Sequence, residues 1–380
     1  MRKNIFTLLG LALLAALLPN QVRADEITMT VGRQIGETIQ LIFKVSEANT
    51  MTIEGAFLEA EDVQGDYTIR NYSLKAQDVK LTGTFTYFCC NDNNLSSLDV
   101  SKCPNLETLH CHNNDLTSLD MTKCPLLKVL RCSGNGLLGH LDVSNCEQLV
   151  MLGCSFSGLE ELNVSNCKEL TVLHCYGNAI STLKLDNCVK LERFNCSVNF
   201  LTDLDVSACN NLTLLNCNDN DLTTLDVTNC NLLQDLRCGG NKMTELKLGN
   251  AMELFKLECF TNYIKGDKMD ALIASLPLHE DEEKGLLYVH HNDEDFVENN
   301  VCTTNQVAAA KARGWKPLIW INAEWIPYEG SDPAGIADTM MQEDLDMNEV
   351  YDLSGRKLPA TAHGISIIKT KNGKAAKIAR

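Results

Sequence analysis

The sequence predicts a β-rich solenoid: a curved parallel sheet of about nine 21-residue coils, a convex side without helices, and a cap at each end. Three observations lead there. The frame L-x-x-L-x-C-x-x-N-x-L recurs along the chain, as in LETLHCHNNDL, ELTVLHCYGNAI and NLTLLNCNDNDL. Its cysteine stands at Cys90, Cys111, Cys132, Cys154, Cys175, Cys196, Cys217, Cys238 and Cys259, every step being 21 residues except one of 22. The stretches between frames, such as LSSLDVSKC and LTDLDVSAC, are too short and too rich in Asp, Val and Ser for a helix. A period near 20 residues means a stack of coils, each burying its apolar side against the next.

The first element, residues 1–24, has the build of a signal peptide. Arg2 and Lys3 give a positive start, Phe6 to Leu18 is apolar but short for a membrane span, and Val22-Arg23-Ala24 offers a cleavage site. No later segment is long and apolar enough to cross a bilayer, so a mature chain without a transmembrane segment is expected. Residues 1–24 hold three basic residues and no acid, so their removal takes the formal charge from −17 to −20. That charge disfavours nucleic acid and anionic membranes as partners.

Residues 25–84 lack the repeat. ITMTV, TIQLIFKV, TMTIEGAF and DVKLTGTFTYF alternate and are rich in Thr, Ile, Val and Tyr, which predicts a β-domain capping the first coil. Residues 85–264 are the leucine-rich repeat array. In each coil the L-x-x-L-x-C stretch is a strand, and strands one coil apart align in parallel. The Asn of the frame recurs at Asn93, Asn114, Asn135, Asn178, Asn199, Asn220, Asn241 and Asn262, with Ser157 breaking the row. An inward Asn at that turn is placed to hydrogen-bond the backbone of adjacent coils. The 22-residue step falls at GNGLLGH, where an extra residue should bulge outward. Residues 265–328 read as a mixed α/β cap: KMDALIASL puts Met269, Leu272, Ile273 and Leu276 on one helical face, NQVAAAKARGW is helix-prone, and Trp315, Trp320 and Trp325 read as largely structural. Residues 329–346 read as a polar linker. Residues 347–380 carry two short strand patterns and a basic end.

Eighteen cysteines in an exported chain would ordinarily mean disulfides. Here nine occupy the frame, with Cys111, Cys132, Cys175, Cys196, Cys217 and Cys238 at its most regular part. Seven more recur in the same register at Cys103, Cys124, Cys146, Cys167, Cys188, Cys209 and Cys230. Both sets are odd in number, so neither pairs off within itself. Stacked, buried, reduced thiols are the reading this spacing favours. One cysteine per coil does not build a tetrahedral metal site.

The motifs L-x-x-L-D-V-S-x-C and L-x-x-L-x-C-x-x-N, with the β-domain before and the mixed unit after, resemble the secreted leucine-rich repeat proteins of Bacteroidetes-type bacteria. The tail around Tyr351, Asp352, Leu353, Ser354, Gly355, Arg356 and Lys357, then Gly364 to Ile368 and Gly373-Lys374, looks like the C-terminal sorting signals of type IX secretion, although it is short. That resemblance implies export to the outer cell surface or beyond, often with surface attachment. The alternatives are a terminal β-hairpin packed on the cap, and a periplasmic protein.

Strand alternation points Leu109 and Cys111 inward, and so Thr108, His110 and His112 outward. The same offsets place Tyr87, Arg131, His174, Tyr176, Arg193, Asn195, Asn216, Asn218, Asp235, Arg237, Glu258 and Phe260 on one concave face roughly 40 Å long. Aromatic, Arg, His and Asn residues of this kind anchor partners. Recognition of a protein or glycan is therefore expected, as an adhesin or capture module; the alternative is a structural envelope protein with no ligand. No cofactor, metal site or enzyme activity is expected. His174 lies three coils, roughly 14 Å, from His110 and His112. Gly134-x-Gly136-x-x-Gly139 has the dinucleotide letters without a βαβ unit. The Asp row at Asp99, Asp120, Asp142, Asp205 and Asp226 is broken by Asn163 and Lys184, and reads as a solvated outer face rather than a calcium ladder. No HExxH, GxSxG or P-loop motif occurs.

Overall fold

The computed structural model describes residues 24–45, 51–280, 284–292 and 297–331, and the backbone of four short strands beyond residue 349. The expected leader lies outside the described residues except for Ala24, as does the expected linker beyond Ser331.

The N-terminal unit consists of β1 (Asp25–Val31), β2 (Thr38–Val45), β3 (Thr52–Glu54), β4 (Ala56–Gln64), β5 (Tyr67–Leu74) and β6 (Asp78–Gly83). Alternation in β1 is strict, with Ile27, Met29 and Val31 buried. These strands form two layers, and each layer runs on into one side of the solenoid. On one side β2 pairs antiparallel with β7 (Phe85–Cys89), in the order β4-β5-β2-β7; on the other β1 pairs antiparallel with β8 (Leu95–Asp99), in the order β3-β6-β1-β8. The first coil therefore presents no free edge to solvent.

From β7 onward the chain repeats a three-residue strand: β9 (Thr108–His110), β10 (Val129–Arg131), β12 (Met151–Gly153), β14 (Val172–His174), β15 (Arg193–Asn195), β16 (Leu214–Asn216), β18 (Asp235–Arg237) and β20 (Lys256–Glu258). All pair in parallel and in register, so one column holds Phe88, Leu109, Leu130, Leu152, Leu173, Phe194, Leu215, Leu236 and Leu257, each fully buried. Burying each such side chain contributes roughly 1.5–3 kcal/mol, and a coil alone could bury none of them.

The convex side is extended or turned throughout the array, with short paired strands β11 (His140–Asp142) with β13 (Glu161–Asn163) and β17 (Thr224–Asp226) with β19 (Glu245–Lys247). The Asp row has a local structural task there. The side chains of Asp99, Asp120, Asp142, Asn163, Asp205 and Asp226 each accept a hydrogen bond from the N–H two residues on, at 2.8–3.1 Å. Each closes an Asx turn that bends the chain around the coil. The extra residue of the long coil is taken up on this outer path, where Leu137 is exposed, while strand register between β10 and β12 is unbroken.

At the far end the same sheet continues. β21 (Gly285–His291) pairs in parallel with β20, β22 (Trp315–Ile321) with β21, and β23 (Glu324–Pro327) closes it antiparallel, giving fifteen strands in all. Helices α1 (Asp267–Ser275) and α2 (Thr304–Lys311) replace the convex turns. α1 buries Met269, Leu272 and Ile273, and α2 begins at a capping box between Thr303 and Gln306. Of the three tryptophans only Trp315 is wholly buried, its Nε1 donating to the Pro277 carbonyl at 2.9 Å. Trp320 and Trp325 are half-buried.

Beyond residue 349 the backbone forms β24 (Val350–Tyr351), β25 (Lys357–Leu358), β26 (Ile365–Lys369) and β27 (Ala375–Ala379), an antiparallel sheet in the order β25-β24-β26-β27. Four strands stand where two patterns were legible, because two-residue strands have no periodicity to read.

All eighteen cysteines are free and buried. The frame thiols, Cys111, Cys132, Cys175, Cys196, Cys217 and Cys238 among them, have no exposed surface. Burial pushes the thiols of Cys132, Cys175 and Cys217 up to about 12. In the second column, the thiols of Cys124, Cys146, Cys167 and Cys188 each donate to a carbonyl of the preceding coil, at 3.5–3.9 Å.

The asparagines tie coil to coil. The side-chain Nδ2 of Asn114, Asn135, Asn178, Asn199, Asn220 and Asn241 donates to the carbonyl of its own coil's cysteine and to that of the coil before. Their Oδ1 atoms accept from a buried N–H of the preceding coil. At the break in the row, Ser157 Oγ donates to the Cys132 carbonyl, and the Leu138 N–H turns to the Ser157 carbonyl instead. The row also reaches into both caps. Asn93 exchanges two hydrogen bonds with the backbone of Gln40, and Asn300 accepts from Ile264 N–H while donating to the carbonyls of Cys259 and Val289.

Candidate partner-binding face

Strand register sets the concave side chains in rows. One row runs Cys89, His110, Arg131, Gly153, His174, Asn195, Asn216, Arg237, Glu258 and Tyr288. A neighbouring row carries Tyr87, Thr108, Val129, Met151, Val172, Arg193, Leu214, Asp235 and Lys256, by the same pairings. His112, Tyr176, Asn218 and Phe260 follow two residues beyond their strand's member of the first row. Most of these side chains are partly buried by their neighbours; Arg131 and Arg193 are exposed.

The face divides into three parts. At the N-terminal end, Tyr87 packs edge-on against Tyr67 of the cap and against His110, with ring centroids 4.8 and 5.3 Å apart, and its hydroxyl lies 3.2 Å from His110 Nδ1. Burial, with Arg131 adding to it, pushes the His110 imidazole down to about 4, so it is neutral at pH 7. His112 continues this aromatic run at 6.3 Å from His110.

At the C-terminal end the charged residues satisfy one another. Arg237 binds Asp235 at 2.7 Å and reaches Glu258 at 3.8 Å, Lys256 binds Glu258 at 2.7 Å, and Asn218 Nδ2 donates to Glu258 at 3.2 Å. Arg237 is thus ion-paired within the chain. Phe260 lies over Gly239, where a Cβ would come within 2.8 Å of its ring. Beyond it Tyr288, Trp320 and Trp325 extend the aromatic surface: Trp325 sits 5.3 Å from Phe260, 4.7 Å from Tyr288 and 5.3 Å from Trp320. The sequence reads these tryptophans as largely structural, because they fall outside the 21-residue register that marks the concave positions.

The middle part differs from both. Arg193, Asn195 and Asn216 project without an ion pair among the described residues, Asn195 and Asn216 accepting only from the backbone N–H two residues on and, for Asn195, from the Ser197 hydroxyl. Beside them Arg131, His174 and Tyr176 border a concavity of about 310 Å3. Among the described residues no group of three His, Cys, Asp or Glu side chains is placed to hold a metal ion.

No family model and no curated protein sequence matches the chain. Among solved structures it is similar to the functional domain of InlJ from Listeria monocytogenes, which includes a cysteine ladder: 23% identity over 77% of this chain and 80% of that one, with a TM-score of 0.48. It is also similar to an internalin, InlF, of the same species, at 18% identity over 62% of this chain and 79% of that one, TM-score 0.41. A third likeness is to YopM, a leucine-rich effector protein from Yersinia pestis, at 22% identity over 57% of this chain and 61% of that one, TM-score 0.40. By its own repeat and coil geometry, this chain folds as a leucine-rich repeat solenoid.

Proposed function

We propose that the chain is a non-enzymatic, exported binding protein that captures a protein or glycan partner on its concave face. The observation that carries this reading is the uncommitted middle of that face. Arg131 and Arg193 project from a rigid sheet with no carboxylate partner among the described residues, in a chain whose formal charge is −17. Desolvated arginines and tyrosines on a fixed scaffold are the residues that dominate interface energies. A second reading, an envelope protein without a ligand, draws on the self-satisfied Asp235–Arg237–Glu258–Lys256 cluster. Screening the full chain against surface proteins and glycans, then repeating with Arg193→Glu combined with Asn216→Arg, separates the two. Binding that falls by about 30-fold or more, roughly 2 kcal/mol, supports the face. Binding indifferent to the pair would reject the concave site, and no partner at all would support the envelope reading.

Export and surface attachment rest on the leader-like residues 1–24 and on the tail that resembles a type IX sorting signal. Protease shaving of intact cells, with a periplasmic control, tests this for the full chain and for one ending at Asp346. Surface exposure lost with the tail is the expected result; a periplasmic protein indifferent to the deletion would reject the sorting role.

A further inference from the structure

The concavity in the middle of the face exists because of three small residues. In its row Gly153 stands between Arg131 and His174, where the other coils of the array carry Cys, Asn, Arg or Glu as well as His. Its backbone is an ordinary strand with no left-handed φ, and a Cβ built there would meet Ser133 Oγ at 3.6 Å and Arg131 Cγ at 4.0 Å, both ordinary contacts. Neither turn geometry nor close approach demands glycine, so its effect is to open space. Ser133 and Ser155 keep the adjoining row low between His112 and Tyr176, the members on either side.

The lining mixes polar groups with the apolar surface of Met151 and the Tyr176 ring, and carries no acid. Ser155 is 3% exposed, and its Oγ has no hydrogen-bond partner in the structure. His112 Nδ1 is likewise buried and unpartnered. Among the described residues the Arg131 guanidinium has no carboxylate partner, and it donates to Met151 Sδ at 3.7 Å. The nearby carboxylate of Asp92 is occupied by the Asn113 amide at 2.9 Å. Burial, then the charge of Arg193, holds the His174 imidazole below its usual range, so it too is neutral at pH 7. A guanidinium without a partner calls for an oxyanion, and a carboxylate fits its fork. The buried hydroxyl and imidazoles ask for more. They include both donors and acceptors, and a carboxylate can only accept. The volume, about 310 Å3, is at the small end of ligand pockets but well above what one carboxylate needs. The Tyr176 ring, held edge-on by Phe156 at 5.0 Å, supplies a flat wall.

We propose that this pocket seats a carboxylate-bearing sugar ring, a hexuronate unit of an acidic glycan, with Arg131 on the carboxylate and Ser155, His112 and His174 on the ring hydroxyls. The proposal rests on the concave-face reading above and narrows it to an acidic glycan. The test is saturation-transfer NMR and calorimetry on the full chain with glucuronate and galacturonate, against glucose, galactose and N-acetylglutamate. A uronate should bind saturably, and the neutral hexoses and N-acetylglutamate about tenfold more weakly or worse. Gly153→Asn, which places in the pocket the side chain carried at Asn195 and Asn216, should cut uronate binding about tenfold or more without lowering thermal stability; Arg131→Gln should do the same from the rim. Uronate binding that survives Gly153→Asn, or equal binding of N-acetylglutamate, or no saturable uronate binding overturns the proposal. A partner that ignores uronates yet is lost with the Arg193 and Asn216 pair would remove the pocket and leave the face.

Discussion

Replacing Asn199 by leucine is expected to cost the solenoid roughly 3 kcal/mol or more, one of the largest losses any single polar substitution here could cause. The two side chains share the same number of heavy atoms and the same branching, so the main effect is one of hydrogen bonding, with leucine's bulkier methyls adding to it. Asn199 Nδ2 donates to the carbonyls of Cys175, Cys196 and Ser197 at 3.0–3.2 Å, and Oδ1 accepts from Ile180 N–H at 3.0 Å. The losses are unequal. The Cys175 carbonyl keeps a bond from Asn178, and the Cys196 carbonyl keeps one from Asn220. The Ile180 N–H has no such reserve and is left orphaned in the core, where an unpaired donor costs about 1–3 kcal/mol by itself.

Asn199→Ser should cost about half as much, because Ser157 already shows how a coil manages with a short donor and a redirected N–H. An exposed convex change, Lys190→Ala, removes an ion pair with Glu169 and should fall within about 0.5 kcal/mol of the parent. Urea unfolding followed by circular dichroism ranks the three. A leucine variant within about 0.5 kcal/mol of the parent would mean that the coils hold together by apolar stacking alone.

The Asn row could be read from the chain because every rung repeats the last. Its ends could not. Asn300 follows Asn262 by 38 residues, since α1, β21 and a loop intervene before the chain returns to the same axis. Asn93 meets Gln40, 53 residues earlier, through a strand that lies outside the repeat. The concave residues were legible for a similar reason: offset from the cysteine fixes the side of the sheet. Which of them are free was harder, because that depends on neighbours one coil away. Arg237 looks available until Glu258, 21 residues on, and Asp235 are set beside it. Gly153 looks like a gap in the row until Ser133 and Ser155 show that the adjoining row is low at the same place. Both become visible only when coils are written beneath one another and compared down the columns. The turn-closing role of the Asp row went unread for the opposite reason, since each partner is two residues away in the same turn and no column comparison reveals it.

With a thiol reagent at pH 8, the native chain should show no more than about one reactive cysteine, and the unfolded chain all eighteen. The native count is low on two grounds. Reagents attack the thiolate, and burial pushes thiols such as Cys132 and Cys217 up to about 12. Such a group is ionised only about one part in ten thousand at pH 8, against roughly a quarter for an ordinary thiol near 8.5. Access is closed as well, since the frame column has no exposed surface and the second column is at most 1% exposed. Cys89 is the exception that sets the upper bound: it faces the concave side and is 5% exposed. Reaction at the others must wait for coils to open, so its rate reports local stability. The unfolded count is the sharper half of the test. Strands one coil apart lie about 4.8 Å from each other, inside the Cα separations that disulfides span, so distance alone does not keep the columns reduced. Repetition does: stacked cysteines point the same way, and an odd column leaves a thiol over however it pairs. Eighteen thiols on unfolding would mean that cysteine is used here as a small apolar packing residue; few thiols in either state would mean that the columns are cross-linked and the core is held covalently.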